Sequence, residues 1–553
     1  MYSRRALLLS VLVALALVAV PLSGGGVVAG PDAPPQPTDV DVSQPALESP
    51  VATDLQAAAD RDDDPSTEDT VGYAEGYWYD DELAVDDEDG AHVSEDELDE
   101  VVYRSMARTE EIRGLTFQEV PDVEVITREE FQAESEELFA DLSERDALVE
   151  NVRYEAFLMV ERDSDAVESF EALYGGAVAG YYDPEADQVV LVSDDEDEVE
   201  VDEVTLGHEL LHALQDQHFG LQGYDRETMD RDGAINGLIE GDAVFVDEQY
   251  ADRCATEWDC LEPQASQQDM PDIVWGQYFS LIMPYDEGPD YVESVYEAGG
   301  WDAVDDLYDD PPASSSEVIR PDEDREPVDV GFEDRSDDAW SVLEPDEGPT
   351  VQRVGEVGIV SMFIHDSIER GGMSVLGFED WFEEPEGGGE TYHYDQPITD
   401  GWAGDALVVY ATDDETVEET GYVWKTEWTS EDDAGEFLDA YLQLLGLHGA
   451  EPVDDRQNTL VVESDFPGAY HVEHDGESVR IVRAPSPDDL PSIHEEAGPE
   501  GEDTIDHDVF GTAESGDDAA DDVADGDDDT IPGFGPIAAL IAVLLAAHLT
   551  RRN

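Results

Sequence analysis

The sequence predicts an α+β fold: a larger body with one small sheet and a long apolar helix, then a smaller C-terminal α+β region. Three observations carry this. Apolar residues recur at helical spacing in "EEFQAESEELFADLSER", "TLGHELLHALQDQHFGL" and "AINGLIEGDAVFVDEQYA". The run Gln188–Val192 is apolar and β-branched, and it follows the turn signals Asp183-Pro184 and Asp187, so it reads as one arm of a hairpin. Beyond about residue 349, "GWAGDALVVYAT", "TGYVWKTEW" and "TLVVESD" run like strands around one capped amphipathic helix, "SEDDAGEFLDAYLQLLG". The segment "GAYHVEHDGESVRIVRA" closes that region as a hairpin turning at Asp475-Gly476.

Charge sets the conditions under which such a chain can fold. Asp and Glu number 143 against 24 Lys and Arg, a formal net charge of −119 over 553 residues. Self-repulsion of that size opposes compaction at moderate ionic strength. In molar salt the Debye length falls to about 3 Å and the repulsion is largely screened. The acids are spread through segments with clear apolar periodicity, which points to a protein adapted to molar salt rather than to an acidic disordered chain. The same charge argues against a nucleic-acid partner.

Both ends read as addresses. Arg4 and Arg5 precede an apolar run and small residues through Gly30, the pattern of a secretory signal (1–30). Ser-Arg-Arg resembles a twin-arginine signal; a general secretory signal is the alternative. At the other end, Pro532-Gly533-Phe534 precedes a short apolar segment and then Arg551 and Arg552. This pattern (531–553) resembles the archaeal PGF-CTERM sorting signal. The resemblance implies processing by an archaeosortase and a lipid in place of the tail; a retained membrane span is the alternative. Either way, the body is expected on the outer face of the cell membrane.

Between the addresses, 31–100 reads as an acidic, low-complexity lead-in, mostly disordered or loosely packed. The body is expected over 101–330, with two helices around Gly299-Gly300. An acidic linker follows over Pro321–Glu347, then the C-terminal region (349–485) and an acidic stalk (486–530). Cys254 and Cys260 are the two cysteines; outside the cell they form a short-loop disulfide, with a pair of metal ligands as the alternative.

The chemistry concentrates in His208-Glu209-Leu210-Leu211-His212. On a helix, His208 and His212 are one turn apart and share a face, so both imidazoles can grip one metal. Glu209 is rotated by about 100°, placed to act on a water as general base without ligating. Zinc in such a site lowers its water's pKa to about 7 and polarises a carbonyl. Two residues compete as third ligand. His218 stands at the metzincin spacing, but Gln215 occupies the position of the glycine that would turn the chain, and a continuing helix points His218 away. Glu240 lies in the apolar run "NGLIEGDAV", where a buried acid needs a compensating charge such as zinc.

"HELLHALQDQHF" with "IEGDA" downstream resembles a group of gluzincin-type peptidases, the peptidase-MA-like branch of the zincins. "GYYDPEADQVVLV", "GGWDAVDDLYDDPPASSSEVI" and "GWAGDALVVY" are also similar to that group, so the resemblance runs from about Val101 to Ala484. It implies a zincin-like body with zinc on His208, His212 and Glu240, and Glu209 as base. Val244 stands where thermolysin-type enzymes carry an acid that orients a histidine, leaving Asn236, Asp242 and Asp247 as candidates for that role. Arg320 stands where the group carries a histidine, which leaves Arg320 or Tyr285 to stabilise an oxyanion. The expected function is a surface-anchored zinc metallopeptidase acting on proteins or peptides. A zincin-like binding protein without catalysis is the alternative.

Overall fold

The computed structural model describes Arg61 and residues 64–505, except 88–90, 141, 163, 194–198, 264–272, 324 and 384–390. The expected signal peptide, the start of the lead-in, the outer stalk and the C-terminal tail lie outside the described residues. The architecture is mixed α+β with small sheets and one larger sheet. Among the described residues, no helix is long and apolar enough to cross a membrane.

The described residues open with a ribbon of β1 (Tyr73–Ala74) and β2 (Tyr77–Trp78), then β3 (His92–Val93) and helix α1 (Glu95–Arg113). Ser94 and Glu97 form a reciprocal capping box at the start of α1, and Gly114 (φ 80°) closes its end. Next come β4 (Asp122–Thr127), α2 (Arg128–Ala140), α3 (Glu144–Ala156) and α4 (Ala166–Ala177). The expected hairpin is β5 (Gly180–Asp183) with β6 (Gln188–Ser193); β4 joins β6 in parallel, giving the order β4–β6–β5. Strand β7 (Val199–Glu200) pairs with β3.

Six helices follow: α5 (Glu203–Phe219), α6 (Met229–Thr256), α7 (Trp275–Asp286), α8 (Gly288–Gly299), α9 (Trp301–Asp309) and α10 (Ser315–Ile319). The C-terminal region holds β8 (Ser341–Val342), α11 (Gly355–Glu369), α12 (Phe378–Trp381), β9 (Phe382–Glu383), β10 (Thr391–Tyr392), β11 (Trp402–Ala411) and β12 (Thr420–Trp428). It ends with α13 (Glu431–Leu447), β13 (Glu451–Pro452), β14 (Thr459–Val462), β15 (Gly468–Asp475), β16 (Ser478–Ala484) and α14 (Leu490–Ile493). Seven of these strands form one sheet in the order β13–β14–β15–β16–β12–β11–β8.

Two apolar clusters flank the α5–α6 pair. The larger runs without interruption from α6 and α7 (Leu238, Phe279, Met283) through α11 (Val360, Phe363) to the sheet and α13 (Leu407, Trp424, Phe437). The second gathers α1 and the buried face of α5 (Val101, Met106, Leu206, Leu210, Leu211) with Tyr250 of α6.

Four expectations need correction. The described part of the lead-in packs from about Gly72: Ala74, Leu83, Val85, Ala91 and Val93 are buried in the second cluster. Its apolar residues are too sparse to show a period, yet each meets α1 or the neighbouring core. The two helices expected around Gly299-Gly300 are four, α7 to α10. The segment 321–347 is not a free linker: Val328 N–H donates to the Ala403 carbonyl at 2.7 Å, and Trp340 is buried against the sheet. The first residues of the expected stalk also pack, with Leu490, Ile493 and Ala497 buried on the same sheet face.

Candidate metal centre

Helix α5 starts on a strong cap. Asp202 accepts from Val204 and Thr205 N–H at 3.0 and 3.1 Å. Beside it, buried Glu203 takes Arg108 at 2.5 Å, Arg104 at 3.0 Å and the Tyr250 hydroxyl at 2.9 Å. Leu261 N–H also donates to Glu203, at 3.1 Å. Cys254 and Cys260 are disulfide-bonded and close the loop that leads to Leu261. This network locks α5 to α1 and α6 at the end from which His208 projects. Close approach is required one residue earlier: a Cβ at Gly207 would lie 3.1 Å from the Tyr250 ring.

His208, His212 and Glu240 come together, all buried, with one ligand atom each within 4.8 Å of the others. The Nε2 atoms of the two histidines are 3.1 Å apart. Glu240 Oε2 lies 3.3 Å from His208 Nε2 and 3.2 Å from His212 Nε2. Donors about 2.0–2.1 Å from a tetrahedral zinc stand about 3.3 Å from one another, so these separations fit that ion. The outer nitrogens are taken: His208 Nδ1 meets Asp247 Oδ2 at 2.7 Å and His212 Nδ1 meets Gln215 Oε1 at 2.8 Å. With both Nδ1 atoms donating, two imidazole lone pairs and a carboxylate oxygen converge on one point, an arrangement that calls for positive charge. The electrostatics agree. Burial alone would lower both imidazoles and raise Glu240. Asp247 and Glu240 instead hold His208 well above its usual range, Glu240 raises His212, and the imidazoles hold Glu240 down at about 2.

Glu209 is fully buried beside this cluster, and neither carboxylate oxygen has a hydrogen-bond partner. Burial pushes its carboxyl up to about 7. Gly180 of β5 lies over it; a Cβ there would sit 3.4 Å from Glu209 Cγ. β5 is an edge strand of its sheet, opposite β4. Val192 N–H donates to the Ala179 carbonyl, so in the antiparallel alternation the backbone groups of Gly180 and Tyr182 face the free edge. The Tyr285 ring stacks near His208, with centroids 6.4 Å apart.

Residues 531–553 match the PGF-CTERM motif. The chain is an exported surface protein of archaea, anchored at its C-terminus. The motif also implies processing of this surface protein by an archaeosortase-type enzyme. Residues 343–494 match a family described as a domain of unknown function, DUF8575. No curated protein matches the chain, and no solved structure does.

The remaining candidates fall elsewhere. His218 turns away, with Nε2 at 2.8 Å from the Thr116 carbonyl. Asn236 is held by Arg226 and Asp232, and Asp242 by Arg113 and Tyr308; neither touches a histidine. Arg320 is committed to Glu356 at 2.8 Å, to the Gln396 carbonyl and to Asp395. In the sequence Gln215 stands out only as the residue in place of the glycine. The signal available was its place three residues after His212, on the same helix face.

Proposed function

We propose that the chain is a zinc-dependent metallopeptidase of the archaeal cell surface, of the gluzincin type. The observation that carries this reading is Glu209: a buried carboxylate without a hydrogen-bond partner, one residue from the first of three converging metal donors. A buried acid left unpaired in a structural role would cost stability, whereas a general base must keep its lone pairs free. His208, His212 and Glu240 would hold the ion. When bound, zinc supplies Lewis acidity, which lowers the pKa of a water and polarises the scissile carbonyl.

The rest falls to the chain's own groups. Glu209 accepts a proton from the attacking water and delivers it to the departing amine nitrogen. The outward N–H and C=O of Gly180 and Tyr182 offer an extended peptide the pairing of an added strand, directly above Glu209. Tyr285 walls the His208 side. The test is a comparison of wild type with Glu209→Gln in molar KCl. Both should take up one equivalent of zinc, and only wild type should cleave an unfolded protein substrate. Equal cleavage by the two refutes the base, and zinc uptake without any cleavage by wild type favours a binding protein.

A further inference from the structure

We propose that Gln215 is a positioning residue: it holds His212 in the tautomer that leaves Nε2 free to ligate, and it ties that histidine to the helix carrying Glu240. The inference rests on the zinc reading of the site and concerns a residue outside the ligand set.

Gln215 is 1% exposed and all its side-chain hydrogen bonds are internal. Its amide nitrogen donates to the Ile239 carbonyl at 3.0 Å and to Asp242 Oδ2 at 3.3 Å. Both partners are acceptors only. Flipping the amide would turn its oxygen onto a carbonyl and a carboxylate, leaving two buried acceptors facing a third. The oxygen is therefore fixed towards His212 Nδ1, 2.8 Å away. An oxygen there obliges Nδ1 to carry the proton, and Nε2 keeps its lone pair pointing at His208 Nε2 and Glu240.

The anchor behind Gln215 is rigid. Asp242 is fully buried, takes the Arg113 guanidinium at 3.0 Å and accepts from the Tyr308 hydroxyl at 2.7 Å. Arg113 in turn reaches Asp305 at 2.7 Å. Helices α1 and α9 thus set the orientation of one amide on α5. Ile239 directly precedes Glu240, so the same amide couples the positions of two ligands on different helices. The two histidines also differ. His208 donates to a carboxylate, which strengthens it as a ligand; His212 donates to a neutral amide.

The test uses the protein labelled with 15N-histidine, in molar KCl at alkaline pH where the rings are neutral, alongside a chelator-competition titration with zinc. In wild type the zinc-responsive histidines should carry their proton on Nδ1 before metal is added. Gln215→Leu, which keeps the volume and removes both polar groups, should let one of them populate the Nε2–H form. It should also weaken zinc binding about 10–100-fold. An Nε2–H form of the His212 ring in wild type, its signals assigned by their loss in His212→Gln, overturns the proposal. So does a Gln215→Leu protein with unchanged ring signals and zinc affinity. A wild type that binds no zinc at all refutes the metallopeptidase reading instead.

Discussion

His208 on α5 and Asp247 on α6 meet through a 2.7 Å contact between Nδ1 and a carboxylate oxygen. Asp247 follows Glu240 by seven residues, two helical turns, so the acid that meets both imidazoles at Nε2 and the acid behind His208 share one face of α6. The side chain of Asp247 is 20% exposed. Asp247→Ala should lower zinc affinity about 10–100-fold, and Asp247→Asn, which keeps an acceptor on Nδ1, should lose less. Competition with a chelator of known affinity measures both. Wild-type affinity in the alanine variant would remove Asp247 from the site.

Glu240 can reach the histidines only because α6 passes close to α8. A Cβ at Gly241 would lie 2.4 Å from the Gly288 carbonyl oxygen, and one at Gly288 would lie 2.6 Å from that of Gly237. These obstacles are backbone, which cannot rotate aside. Gly241→Ala should cost about 1–3 kcal/mol or more and reduce zinc affinity with it, since the helix bearing Glu240 must shift. Gly435, in α13, has nothing within 4 Å of its would-be Cβ. Gly435→Ala should be neutral or stabilising by up to about 1 kcal/mol. Thermal melts of the two variants in the same salt give the comparison; equal melting temperatures would refute the packing argument.

The parts of the site legible in the sequence are those set by one helix. His208, Glu209 and His212 follow from spacing alone, and Glu240 from an acid set among apolar neighbours. What was not legible depends on the angle between helices. Asn236, Asp242 and Asp247 all lie on α6, and the crossing of α5 over Tyr250 decides that Asp247 meets His208 while Asp242 is taken by Arg113. The lead-in failed for another reason. Residues such as Ala74, Leu83 and Val85 are buried singly between turns, so they carry no period of 2 or 3.6 for pattern reading to find.

Acid sensitivity should arise from groups outside the His208–His212–Glu240 cluster as well. His365 on α11 is buried, accepts from Gly276 N–H at 3.3 Å, and is pulled down to about 4 by burial and by neighbouring His448, against Asp366. A folded-state value below the unfolded value of about 6.5 means that the unfolded chain binds the proton first. The stabilisation is therefore complete above about pH 6.5 and is lost as pH falls towards 4, by at most about 3 kcal/mol. His494, lowered to about 4 by burial and Arg480, adds in the same window. Asp366, held below its usual range by His448, Ser374 and Arg370 despite burial, adds its loss at still lower pH. Melting temperature in molar KCl should fall between pH 6.5 and 4, and less steeply in His365→Gln. Parallel pH profiles for the two proteins would exclude His365 as the source.

The match of 343–494 to a family of its own suggests a separable module, yet the contacts around α7 argue that the body cannot stand without it. Asp286 and Glu287, at the end of α7, accept from the N–H groups of Tyr392 and Tyr394 at 3.0 and 3.4 Å. The Tyr394 hydroxyl donates to the Phe279 carbonyl at 2.8 Å, and Trp381 packs edge-on against the Phe279 ring. At the start of α6, buried Asp230 pairs with Arg353 at 2.7 Å, and at the end of α10 Arg320 pairs with Glu356. Removing one side of each buried pair strands a charge, which costs about 3–5 kcal/mol, and the large apolar cluster would be cut through its middle. A chain of residues 61–342 should accordingly bind no zinc and melt without a cooperative transition. Supplying residues 343–505 as a second polypeptide should restore zinc binding if the two pieces dock as they do in the whole chain. Zinc held at wild-type affinity by 61–342 alone would mean that Tyr285 and Glu240 keep their places without the C-terminal sheet, and the dependence argued from these pairs would be lost.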